Sequence, residues 1–100
     1  MTDAGSSPDT SDAHLMRLLV EGLLAAGLRP EETEGIGLST SLQADLGVDS
    51  YQLTNVARYL EEAFDLRFTL VDWVLDEADR EEDAYTVASL FQFMRAQLAA

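Results

Sequence analysis

The sequence predicts an all-α fold, a small four-helix bundle of three long helices and one short one, with a long loop between helices 1 and 2. Three observations predict it. Apolar residues recur at helical spacing in separate stretches, as at Leu53, Val56, Leu60 and Phe64. No stretch keeps a two-residue alternation long enough for a strand. Good N-cap residues or Gly and Pro punctuate the ends of the periodic stretches. A chain of 100 residues makes one domain with a modest core. Residues 1–9 are read as a disordered leader on composition, and residues 10–100 as the folded domain.

The first helix begins near Thr10, Ser11 or Asp12. Leu15, Met16, Leu19, Val20 and Leu23 form its apolar face, with Arg17 and Glu21 on the wet side. Gly27 suits its C-terminus, and Pro30 is read as a block to further helix. His14 is assigned a surface or capping role, since acid–base work needs a partner group and none is recognisable. Residues 28–49 lack a sustained period and make the long loop. Ile36, Leu38, Leu42, Leu46 and Val48 are expected to pin it, and Glu31, Glu32 and Glu34 to form a solvated acidic edge.

The second helix covers residues 50–64, with Asp49 as its cap and Ser50 at its start. The short third helix covers residues 70–78. Residues 76–83 are an acidic run read as solvated loop. The last helix is capped by Thr86, and its stripe is Val87, Leu90, Phe91, Met94 and Leu98.

Nineteen acids against six bases give a net charge of −13. Such a surface opposes nucleic acid and anionic lipid and favours basic partners. The absence of cysteine removes disulfides and thiolate chemistry, and one histidine rules out a multi-histidine metal centre. No apolar stretch approaches the length of a membrane span, and cytoplasmic residence of a monomer is the expectation. A serine nucleophile needs an adjacent base, and the chain has neither lysine nor a nearby histidine for Ser50. The spacing selects no catalytic residue and no metal ligand. On residue types alone, Ser50 is a helix-start serine.

Leu42, then Asp45-Leu46-Gly47-Val48-Asp49-Ser50, then Leu53, Val56, Leu60-Glu61-Glu62 and Phe64-Asp65 together resemble the signature of the acyl carrier protein family. Thr86-Val87 followed by Leu90 is similar to the start of that family's last helix. The resemblance implies that Ser50 bears a 4′-phosphopantetheine arm delivered from coenzyme A by a phosphopantetheinyl transferase, with Asp49 helping that transferase hold its metal and substrate. The arm's thiol would carry acyl groups as thioesters, and the chain would be a carrier and not an enzyme. Its acidic surface would meet basic docking patches on acyl-loading and acyl-processing enzymes.

The chain departs from the commoner family pattern. Gln52 and Asn55 stand where acids are frequent, Arg58 where an apolar residue is common, and Tyr51 replaces a leucine. The 69–85 segment is longer and adds Trp73. These departures point to a freestanding carrier of polyketide-type or related antibiotic biosynthesis. Two alternatives are a peptidyl or aminoacyl carrier of a nonribosomal peptide pathway, and an acidic helical adaptor never modified at Ser50. Candidate partner-recognition residues are Tyr51, Gln52, Asn55, Arg58, Tyr59, Glu61 and Glu62. Val56, Phe68 and Trp73 are further candidates for contact with the arm or a partner.

Overall fold

The structure is a computed structural model that describes residues 11–65, 68–80 and 84–99. The expected leader, residues 1–9, lies outside the described residues, as do Arg67 and the end of the acidic run at 81–83. Five helical segments follow in chain order: α1 (Asp12–Ala25), α2 (Pro30–Thr33), α3 (Ser50–Ala63), α4 (Val71–Ala78) and α5 (Val87–Ala99). The four expected helices are α1, α3, α4 and α5, and α2 is an added single turn inside the long loop. There is no strand among the described residues, only an isolated bridge between Ser41 and Thr86.

Pro30 corrects one expectation. It starts α2 instead of barring helix, because proline's fixed φ and missing N–H suit the first turn. Arg29 ahead of it pairs with Glu31 and Glu32, so the acidic edge is partly neutralised by its neighbour.

Each long helix begins where a side chain takes up its free amides. Ser11 Oγ accepts from His14 N at the start of α1. Thr86 Oγ1 accepts from Ser89 N at the start of α5. Gly27 (φ +107°) follows the C-cap residue Ala26 and takes the left-handed conformation that ends α1.

The core lies where the stripes meet. Leu15, Leu19 and Leu23 of α1, Leu53, Val56 and Leu60 of α3, and Val87, Leu90, Phe91 and Met94 of α5 are all buried. From the long loop, Leu42 and Val48 join them. α1 packs on α3 and is tied to it by Tyr59, whose hydroxyl donates to Glu21 Oε1 at 2.8 Å. The Tyr59 ring lies against Gly22, where an added methyl would come within 3.2 Å of it.

α4 buries its inner line through Trp73 and Glu77 and leaves Val71 and Leu75 exposed. Glu77 overturns the reading of the acidic run as solvated throughout. Its carboxylate is 4% exposed and accepts from Tyr85 N at 2.7 Å, Ser89 Oγ at 3.0 Å and Arg80 Nη1 at 3.2 Å. Ser89 Oγ in turn accepts from Trp73 Nε1 at 3.1 Å. This chain of bonds fastens α4 to the start of α5, and it lets a carboxylate be buried because each of its oxygens is used.

Two phenols carry a pH dependence. The hydrogen bond from Tyr59 to Glu21, then desolvation, raises the Tyr59 pKa above 10.0. Burial, then the charges of Glu77 and Asp79, raises that of Tyr85. Folded phenols that hold their protons longer than unfolded ones contribute stability that is complete below the unfolded value and is lost as pH rises past it. Denaturation midpoints should therefore hold steady up to roughly pH 10 and fall above it. The Tyr59→Phe, Tyr85→Phe double variant should show a shallower fall. An equally steep fall in the double variant would assign the alkaline loss to other groups.

Candidate functional site

Ser50 is the first residue of α3, and the chain around it is held on both sides. Upstream, Val48 is buried and its N–H donates to Leu42 O at 3.0 Å, which closes the turn before the helix. Gly47 occupies the left-handed region (φ +71°) in that turn, a conformation costly for residues with a Cβ. Downstream, Leu53 is buried one turn into α3.

Between these anchors Asp49 caps the helix, its Oδ1 accepting from Gln52 N at 2.7 Å. Gln52 Oε1 accepts in return from Asp49 N at 3.2 Å, which completes a reciprocal capping box. Ser50 is thereby fixed on the outside of the fold, exposed to solvent.

The hydroxyl of Ser50 has no hydrogen-bond partner among the described residues, and the amides of Ser50 and Tyr51 have no acceptor there. The other serine and threonine hydroxyls between residues 20 and 75, Ser39 apart, are engaged. Thr33 donates to Pro30 O, Ser41 to Ala84 O and Thr54 to Ser50 O, while Thr40 accepts from Gly37 N and Thr69 from Val71 N. Ser39 is exposed like Ser50 but lies in the loop, away from any helix start.

The arrangement suits a covalently attached phosphodiester. Free N–H groups and the positive end of the helix dipole favour an anion, and the exposed oxygen admits another protein's active site. No general base or nucleophile-activating group is hydrogen-bonded to Ser50 among the described residues, and no group of three or more described His, Asp or Glu residues could hold a metal ion.

The candidate recognition residues divide. Tyr51 is 76% exposed, Arg58 and Glu62 are exposed, and Asn55 is half-buried. Gln52, Tyr59 and Glu61 have intramolecular tasks. Gln52 completes the cap and donates to Ala26 O at 3.5 Å, Tyr59 ties α3 to α1, and Glu61 Oε2 accepts from Leu70 N at 2.8 Å just before α4. Val56, Phe68 and Trp73 are buried and belong to the core.

The structure adds Val71 and Leu75, 59% and 63% exposed, which sequence reasoning placed among the residues that make up the short helix. Their separation by four residues, on the opposite side of α4 from the Trp73 and Glu77 pair, was the available signal.

A helical bundle that presents Ser50 exposed at a helix start, with no general base bonded to it among the described residues, has the features of a carrier domain. A scan against family models matches residues 20–75 to the phosphopantetheine attachment site family, and the chain belongs to that family. Searches of curated proteins and of solved structures returned no match. The cofactor is accordingly a covalently attached phosphopantetheine, and domains of this kind are carriers rather than catalysts, served by a transferase and by processing enzymes. No described helix is long and apolar enough to cross a membrane.

Proposed function

We propose that Ser50 is the attachment serine, and that the domain, residues 10–100, holds acyl intermediates as thioesters on the arm and presents them to partner enzymes. One observation carries this reading. Among the serines and threonines of the matched span, Ser50 alone combines an exposed hydroxyl, no hydrogen-bond partner among the described residues, and a place at the start of a helix with free amides.

Asp49 is proposed to face the transferase, and its carboxylate already serves the cap through one oxygen. Tyr51, Asn55, Arg58 and the long segment before α5 support a specialised pathway, polyketide-type or related. The net charge of −13 supports partners with basic docking patches, met through fast and salt-sensitive encounters.

The test is intact-protein mass after incubation with coenzyme A and a broad-specificity phosphopantetheinyl transferase, followed by peptide mapping. The expected result is one added phosphopantetheine on the peptide holding Ser50. Modification mapped to Ser39, or to any other hydroxyl, would move the site.

A further inference from the structure

A cleft of about 230 Å³ opens between α3 and α4. Ala57, Val74 and Leu75 give it apolar walls, and Thr54, Arg58 and Glu61 place polar groups on its α3 side. Ser50, Thr54, Ala57 and Glu61 follow one another at i, i+4, i+7 and i+11, so they share one line along α3. Ser50 therefore stands at the head of the line that borders the cleft. Arg58 lies beside that line, roughly 12 Å further along the helix axis.

Arg58 is unlike the other described arginines. Arg17 bonds His14, Arg29 pairs with Glu31 and Glu32, Arg80 with Glu77, and Arg95 with Asp12. Arg58 has no hydrogen bond or ion pair with any described residue, in a chain carrying nineteen acids. Glu61, the acid in the cleft lining, accepts from the backbone N–H of Leu70. A free guanidinium beside an apolar wall is a site for a planar anion with a short hydrocarbon stem, because the fork of N–H donors matches a carboxylate and the wall takes up the stem.

We infer that Arg58 is a specificity-determining residue, and that the cleft favours acyl groups that end in a carboxylate over acyl groups that end in a methyl. The inference rests on attachment at Ser50. The size of the cleft suits a stem of a few carbons and not a long alkyl chain. The acidic field of the whole chain opposes an anionic group, and Arg58, which has no ion pair among the described residues, is a local exception beside the tether line.

The test loads the full chain by transferase from adipyl-coenzyme A and, separately, from hexanoyl-coenzyme A, in wild type and in Arg58→Gln. Nitrogen-15 NMR follows the Arg58 Nε–H and the amides of Thr54, Val74 and Leu75, and thioester hydrolysis is timed at fixed pH. The adipyl form of the wild type should shift those signals, and its thioester should hydrolyse about threefold more slowly than in Arg58→Gln, a factor within the range of a partly exposed ion pair. The hexanoyl thioester should hydrolyse at one rate in both proteins, and Arg58→Lys should recover part of the adipyl effect.

Equal adipyl rates and unchanged signals in wild type and Arg58→Gln would overturn the assignment. So would a protection of hexanoyl equal to that of adipyl, or an Arg58 that shifts only when a partner enzyme is added. Absence of loading, read from intact mass before either measurement, would instead bring down attachment at Ser50, and the inference with it.

Discussion

Ser50→Ala is expected to remove phosphopantetheine loading completely while leaving the fold within about 0.5 kcal/mol of wild type. The two halves of that expectation have separate physical origins. The hydroxyl is exposed and bonds to nothing among the described residues, so its loss breaks no contact that holds the bundle together. Alanine is also a good helix former at the first turn. The cap depends on Asp49 and Gln52, which remain.

Asp49→Ala provides the contrast. It removes the acceptor for Gln52 N and should cost about 1 kcal/mol of stability. Intact mass after transferase treatment and urea unfolding of the same samples measure both quantities. A Ser50→Ala protein that loads as well as wild type would sink the attachment reading, and one that is well folded yet unloaded would separate chemistry from structure.

Glu77→Ala should be a severe change on α4, with a loss of about 3 kcal/mol, a large fraction of the stability of a domain this size. The carboxylate is buried, and its removal leaves Tyr85 N–H and the Ser89 hydroxyl without their acceptor. A buried donor without a partner costs roughly 1–3 kcal/mol by itself. Arg80 is half-exposed and can turn to water, so it contributes little to the loss.

Glu77→Gln keeps the shape and one acceptor oxygen and should lose about 1 kcal/mol. Urea unfolding followed by circular dichroism and by Trp73 fluorescence measures these values. Trp73 is the chain's single tryptophan and sits in the same bonded chain, so its signal reports directly on α4. A Glu77→Ala protein as stable as wild type would show that water replaces the carboxylate without loss.

Glu77 also marks where sequence reasoning stops. A carboxylate inside a run of acids looks solvated, and only the amides and hydroxyl that fold around it make burial tolerable. Those partners, Tyr85 and Ser89, lie on the far side of residues 81–83 and nothing local announces them. The spacing of Trp73 and Glu77 was a faint sign, since the two fall on one line of α4.

By contrast, Leu53, Val56, Leu60 and Phe64 were legible because one helical period decides their side, and tertiary packing only confirms it. Asp49 was legible as a cap, and Ser11 as one of three candidates with Thr10 and Asp12, because capping is local chemistry. Pro30 was ambiguous for a physical reason: the same ring that ends one helix suits the opening of another.

At the candidate site, Ser50 was proposed only through the family resemblance of its flanking residues, whereas the work of Gln52, Tyr59 and Glu61 was not legible at all. Each of these bonds a group on another segment or completes a cap, and a list of polar residues on one helix does not separate such tasks from solvent exposure.

The bridge between Ser41 and Thr86 has a consequence for the order in which the domain can be assembled. Leu42 N donates to Tyr85 O, Val87 N to Thr40 O and Ala88 N to Leu38 O, so the segment leading to Ser50 is sewn to residues far along the chain. Closing so long a span is entropically slow compared with forming a helix turn. During synthesis, α1 and α3 can pair as soon as they emerge. The approach to the serine takes its final shape only after residues 84–88 have left the ribosome. On the proposed attachment at Ser50, a chain interrupted before residue 84 would carry the serine with its helix cap but without the bonds that fix residues 38–42 upstream of it.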